Sequence, residues 1–256
     1  MTIDWSASSA DAAALTVNVA SLGRLLADLR ERLIGGRGFC VATLNLDHLV
    51  KLRHDPGFAR AYRAHSHVTA DGKPIVWLSR LAGRPIGLVP GSELILPVAR
   101  LAAETGVGVV LFGATEQALD AAARALRQQV PGLKIAACIA PPMGFDPFGP
   151  AGDEAIAAIR ATGGGLCFLA LGAPKQEKFA ARAAEQLPQM GFLSIGAGLD
   201  FIAGTQTRAP PLIRMIAAEW LWRLASNPRR LAGRYARCIA ILPGEMQRAL
   251  RSRSQA

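Results

Sequence analysis

Little in this chain is arranged for disulfide or metal chemistry. Its four cysteines, Cys40, Cys138, Cys167 and Cys238, stand far apart with no C-x-x-C pair. They read as small buried hydrophobes in a reducing compartment. The four histidines, His48, His54, His65 and His67, fall in the first third. No H-E-x-x-H or cysteine spacing joins them, which argues against a zinc site. The start lacks a basic stretch followed by an apolar run, and Asp4 and Asp11 interrupt it. No secretory signal is therefore expected. No apolar run is long enough to span a bilayer. These absences predict a cytoplasmic protein, either free or bound to a membrane surface. Aromatic residues are scarce at 6%, whereas Ala and Leu are plentiful. That balance favours helices packed on a sheet over an all-β sandwich.

What is present suits one large domain, or a domain with an appendage, in 256 residues that are 51% hydrophobic. Helical leucine spacing marks "SLGRLLADLRERL" (21–33), and "GFCVATLN" (38–45) is a buried-strand run. "LDHLVKLRHD" and "PGFARAYRAH" read as short helices, "HVTA" as a strand and "PIVWLSRLAG" as a helix. "SELILPVARLAAETG" is helical, with Ser92 as its cap and a kink expected at Pro97. Then strand "GVVLFGA" precedes helix "TEQALDAAARALRQQV". Strand "KIAACIA" leads through the loop "PPMGFDPFGPAG" to helix "DEAIAAIRAT". Strand "GLCFLALG", helix "PKQEKFAARAAEQL" and strand "GFLSIGAG" follow. This alternation predicts an α/β fold, a parallel sheet with helices on both faces. Beyond "LDFIAGTQTRAPP" the pattern is helical only: "LIRMIAAEWLWRLASN", "PRRLAGRYARCIAIL" and a frayed basic end. We divide the chain into a core, 1–207, and an Arg-rich helical appendage, 208–256.

In open parallel sheets ligands bind beyond the carboxyl ends of the strands. Five predicted strand ends carry small or polar groups: Thr43 with Asn45, Asp71-Gly72, Gly113-Ala114-Thr115, "LGAPKQE" and "GAGLDF". Thr43 and Asn45 also suit a helix cap, and Asp71-Gly72 an ordinary turn. Gly113-Ala114 suits a tight βα turn, and the missing G-x-G-x-x-G speaks against a dinucleotide-binding dehydrogenase. In the loop opened by Gly172, Pro174 at a first helical turn is ordinary. Lys175 there is opposed by the helix dipole unless an anion such as a phosphate shares the site. Gln176 suits hydrogen bonds to a sugar or base, and Glu177 balances the dipole.

The formal net charge is +10, and from Arg208 onward ten Arg face two acids, which leaves +8 there. Such asymmetry suggests an appendage that meets an anionic partner. Arginines interleave with Trp220, Trp222, Leu221 and Leu224. Three readings stay open: a membrane-surface helix, a helix packed on the core, and nucleic-acid binding. No nucleic-acid motif is present, so the membrane surface ranks first.

Taken together, "TLN", "VTADGKPIVW", "VPGSEL", "LFGATEQAL", "PPMGF", "LGAPKQEKF", "GAGLDFIAGTQTRAP", "EWLWRL" and "NPRRLAGRY" resemble the WecG/TagA/CpsF family of bacterial glycosyltransferases. These motifs keep the family's order from about residue 40 to 235. "TLNLDHLVKLR" and the long basic end are similar to members from exopolysaccharide gene clusters. The resemblance implies an inverting, metal-independent enzyme with no cofactor. It would move a hexose-type sugar from a UDP-sugar to a polyprenyl-diphosphate-linked saccharide at the inner face of the cytoplasmic membrane. The chain contains no D-x-D, the usual carboxylate pair for a nucleotide-bound metal. The resemblance makes Asp71 the general base and has Thr43, Asn45 and Gln176 orient sugar or acceptor hydroxyls. Gly113, Ala114, Gly172 and Lys175 would also belong to the substrate-binding site. Arg208, Arg223 and Arg230 would clamp the departing diphosphate. The rival from another class is a non-catalytic nucleotide- or nucleic-acid-binding module with a basic tail. Homo-oligomer formation is left open.

Overall fold

The computed structural model describes residues 3–4, 15–204 and 228–254. Two short strands, β1 (Ile3–Asp4) and β2 (Leu15–Thr16), pair in parallel apart from the main sheet. The main sheet has six parallel strands: β3 (Phe39–Leu44), β4 (His67–Ala70), β5 (Val109–Gly113), β6 (Ile135–Ile139), β7 (Leu166–Ala170) and β8 (Gly191–Ser194). Their order is β4-β3-β8-β7-β5-β6. The helices are α1 (Leu22–Ile34), α2 (Leu46–His54), α3 (Pro56–Ala64), α4 (Lys73–Leu81) and α5 (Gly91–Thr105). After them come α6 (Glu116–Gln129), α7 (Pro150–Ala161), α8 (Lys175–Gln186), α9 (Gly198–Ile202) and α10 (Pro228–Ser254).

Strand side chains alternate between faces, so each strand of apolar residues must be covered twice. On one face Val41, Leu111, Phe168 and Leu193 pack against Leu29 of α1, Leu94 and Val98 of α5 and Leu126 of α6. On the other, Val110, Cys167, Leu169 and Phe192 meet Ile156 of α7 and Phe179 of α8. At the β3–β4 end of that second face, Leu44, Val68 and Ala70 meet Leu49 of α2, Tyr62 of α3, Ile75 of α4 and Ala249 of α10. The expected helices-on-both-faces architecture is therefore present. β5 and β7 are neighbours, yet the helices after them, α6 and α8, cover opposite faces. The chain diverges there, and in open α/β sheets such a switch point at the carboxyl edge is where ligands bind.

Several local expectations are corrected. Ser92 is not a cap: α5 starts at Gly91 after Pro90, and it runs through Pro97 to Thr105. Helix α7 begins at Pro150, because proline suits the first helical turn, where its missing N–H costs nothing. Cys138 is exposed on the edge strand β6, whereas Cys40, Cys167 and Cys238 are buried as expected. The basic end does not fray. Helix α10 passes Pro243 and continues to Ser254, because Ala249 is buried and Glu245 accepts hydrogen bonds from Arg53 of α2 and Arg248. The helix expected over 212–227 lies outside the described residues.

Candidate active site

The site builds up from the carboxyl ends of β3 and β4. Thr43 is 4% exposed, near the end of β3. A Cβ on Gly91 would come within 3.2 Å of both Thr43 Cγ2 and the Ser194 carbonyl. Glycine there lets the start of α5 close over the ends of β3 and β8. Asn45 is the cap of α2, and its Oδ1 accepts from the His48 N–H at 3.0 Å. Asp71 follows β4 directly. Its own N–H donates to the Leu44 carbonyl at 2.7 Å, and its side chain is half-buried. Gly72, with φ 117°, then turns the chain into α4.

Gly113 and Ala114 form a turn pressed against β7. A Cβ on Gly113 would sit 2.6 Å from the Ala170 carbonyl carbon and oxygen, so only glycine fits. Ala114 takes φ 61° and its N–H donates to the Ala170 oxygen at 3.2 Å. A non-glycine residue in that region stores backbone strain, which structures tolerate most often at ligand sites. Thr115 caps α6 through the Ala118 N–H.

After β7 come Gly172, with φ 73°, the cis Ala173–Pro174 bond, and exposed Lys175. The next two residues turn inward. Gln176 is 2% and Glu177 0% exposed. The Gln176 Oε1 accepts from the N–H of Gly172 at 3.2 Å and of Gly196 at 3.1 Å. Its Nε2 donates to Glu177 Oε1 at 2.8 Å. Gln176 thus ties two loops together rather than projecting into solvent. Glu177, expected from sequence to balance the helix dipole, is fully buried, and burial pushes its carboxyl up to about 7. The signal was in the helix period: buried Phe179, Ala180 and Ala183 place positions 176 and 177 on the same inward face.

Beneath this edge His48 Nδ1 and the Tyr62 hydroxyl lie 2.6 Å apart, and that hydroxyl donates to the Thr43 carbonyl at 3.1 Å. Both polar groups are satisfied when His48 Nδ1–H donates to the Tyr62 oxygen. Burial holds His48 down to about 3, so it is neutral. Burial, followed by the charges of Glu177 and Asp71, raises the Tyr62 phenol well above its usual value. Asp71 and Glu177 therefore act on the same buried hydroxyl.

Helices α4, α5, α8 and α9 start at this edge without a side-chain cap, and α7, after β6, has none either. By contrast α1, α2, α3 and α6 are capped by Ser21, Asn45, Asp55 and Thr115. Uncapped N-termini leave N–H groups and positive dipole ends for an anion. Lys51 reaches across the edge, donating to the Ala173 carbonyl at 3.1 Å and pairing with Asp47 at 2.8 Å. Arg234 of α10 pairs with the same Asp47 at 3.0 Å. The sequence expectations for Arg208 and Arg223 lie outside the described residues, as does the Arg230 side chain. Among the described residues, no group of three His, Cys, Asp or Glu side chains is placed to hold a metal ion.

Comparison with known proteins gives a match to the model of the "Glycosyl transferase WecG/TagA/CpsF family" over residues 11–255. N-acetylglucosaminyldiphosphoundecaprenol N-acetyl-beta-D-mannosaminyltransferase of Bacillus spizizenii strain W23 is 25% identical over 196 residues. That alignment covers 76% of this chain and 74% of the relative. Proteins of the same name from Staphylococcus aureus strains MW2 and NCTC 8325 are 28% identical over 168 residues. Those alignments cover 65% of this chain and 63% of each relative.

Proposed function

The chain belongs to the WecG/TagA/CpsF family and is a glycosyltransferase, and from that premise we propose that it moves a sugar from a UDP-sugar to a polyprenyl-diphosphate-linked saccharide. The acceptor class is taken from the names of the relatives. One observation carries the mechanism. Asp71 stands at the end of β4, half-buried, at the edge where β3, β5, β7 and β8 also deliver their loops. In the proposed step the acceptor hydroxyl attacks the anomeric carbon, the bond to UDP breaks, and Asp71 takes the hydroxyl proton. A single displacement of this kind inverts the anomeric centre, and a β product, as in the relatives' names, then requires an α-linked donor. Charge grows on the leaving diphosphate. The uncapped starts of α4, α5 and α8, with exposed Lys175, favour that charge. Arg208, Arg223 and Arg230 complete the clamp in this reading, and no metal ion is needed.

The enzyme is proposed to work as a peripheral protein at the inner face of the cytoplasmic membrane, in the synthesis of exopolysaccharide or another cell-surface glycan. No helix among the described residues is long and apolar enough to cross a membrane. Helix α10 instead exposes Ile239, Met246 and Leu250, and also Arg237 and Arg251, along its length, the residue classes of a surface-lying helix.

The test is UDP release from a panel of UDP-sugars, with a short-chain polyprenyl-diphosphate N-acetylglucosamine as acceptor. Release should require acceptor and persist in EDTA. Asp71→Asn keeps size and polarity but removes the base, so kcat should fall about 10²–10⁴-fold with UDP binding retained. Near-normal turnover by that variant would refute the role given to Asp71.

A further inference from the structure

We infer that Glu177 is a positioning residue for the transfer site: by holding the Gln176 amide it locks together the loops that follow β7 and β8. The inference rests on the glycosyl-transfer reading for its consequence, but its geometry stands alone. The Gln176 side chain faces two backbone N–H groups, those of Gly172 and Gly196. Only its oxygen can accept from them, so its NH2 must point the other way. Glu177 Oε1 is the acceptor found there. Without it the amide would have a buried donor left unpaired, at a cost comparable to the two weak loop bonds it secures.

A residue kept only for packing at a fully buried position would be apolar. Glu177 instead keeps a carboxyl whose second oxygen, Oε2, has no partner among the described residues. The groups acting on it are Gln176, Tyr62 and Lys51. Lys51 is itself occupied by Asp47 and the Ala173 carbonyl, in the same β7–α8 loop that Gln176 ties down. The loop is thus held from two sides, by Lys51 at Ala173 and by Gln176 at Gly172. The second fastening extends to Gly196, beyond β8. Glycine at 172 and 196, with φ 73° and 55°, would otherwise leave both loops free to swing.

The predicted behaviour separates hydrogen-bond acceptance from charge. Glu177→Gln retains an acceptor of the same shape, whereas Glu177→Ala removes it. Gln176→Met removes the tie itself while keeping volume. Hydrogen–deuterium exchange at the Gly172 and Gly196 amides should rise in Glu177→Ala and Gln176→Met and stay at the wild-type level in Glu177→Gln. With the transfer assay, Glu177→Ala should lose about 10-fold or more in kcat/KM, as expected when site loops shift, and Glu177→Gln should stay within about 3-fold. Unchanged exchange in Glu177→Ala would overturn the inference. So would loosening in Glu177→Gln equal to that in Glu177→Ala, since charge would then be the requirement. Should Glu177→Ala fail to fold, unchanged exchange in Gln176→Met overturns it equally. If the wild-type protein transfers no sugar, the reading of function fails while the exchange result still decides the role of Glu177.

Discussion

Three histidines and one glutamate in this fold sit where their charged forms are penalised. Burial lowers His48 to about 3 and His65 to about 4. Burial also lowers His67, against the pull of Asp28, whose Oδ2 lies 2.7 Å from its Nε2. As pH falls below the ordinary histidine value of 6.5, the unfolded chain takes up protons that the folded chain refuses. Stability contributed by these histidines is therefore present above 6.5 and is lost on acidification. Glu177 acts in the opposite sense. Between its ordinary 4.5 and its folded value of about 7 the native state holds a proton that the unfolded chain has shed. Acidification through that window thus favours the folded protein. Three effects against one leave a net loss between pH 6.5 and 5, at most roughly 3 kcal/mol per pH unit. Urea unfolding from pH 7.5 to 5 should show that decline, and Glu177→Gln, lacking the opposing proton, should decline more steeply. A flat profile would contradict the lowering of His48 and His65 by burial. Sequence reveals such residues unevenly. Asp71 alone reads as ordinary turn chemistry, and it stands out in the sequence only because four other predicted strand ends carry small or polar groups; the structure puts it at that shared edge. Glu177 does not stand out, because an acid in a first helical turn has a sufficient reason in the dipole, and only the inward phase of Phe179 and Ala180 contradicts it.

Elements were read well where one period dominated. The six strands of the main sheet are short apolar runs, and α1, α6 and α8 carry clear apolar stripes. The two-residue strands β1 and β2 carry no periodicity to read. The end of α10 was hidden for another reason. Pro243 looks like a stop and the Arg-rich end looks solvated, so the helix is legible only through the partners it finds in the fold. Those partners are specific. Glu245 is buried and pairs with Arg53 of α2 and with Arg248. Removing Arg53 leaves a buried carboxylate with half its support. Arg53→Ala should cost about 1–3 kcal/mol in urea unfolding. It should also raise amide exchange along 240–250 before the sheet opens. Arg53→Ala together with Glu245→Leu should recover most of the loss, because the under-supported buried carboxyl is then gone. No recovery in the double variant would mean that Arg53 acts through packing alone.

At the scale of the whole molecule, charge and apolar surface coincide on one element. The excess of +8 falls from Arg208 onward, and the described part of that region is α10. Its inward side is anchored by Ala249, Glu245 and the Arg234–Asp47 pair, so the outward side is fixed in direction. That side carries Ile239, Met246 and Leu250, 57%, 49% and 47% exposed, spaced at helical intervals. Exposed Trp77 lies on α4, a helix against which α10 packs. Arg229, Arg237, Arg251 and Arg253 are exposed on α10. Apolar groups that enter a lipid interface and guanidinium groups that meet anionic headgroups reinforce each other, and the second contribution is screened by salt. The chain should therefore sediment with vesicles containing anionic lipid at low salt and be released as salt is raised. Replacing both Met246 and Leu250 by Glu inserts two charges into the apolar stripe at positions that belong to none of the three core clusters. That variant should lose vesicle binding about 10-fold or more, since each buried apolar side chain contributes roughly 1.5–3 kcal/mol. Its unfolding midpoint and its activity on a water-soluble, short-chain acceptor should be unchanged. Retained vesicle binding by the double variant would move the docking face elsewhere. Binding lost together with short-chain activity would mean that this face shapes the site instead of meeting the membrane.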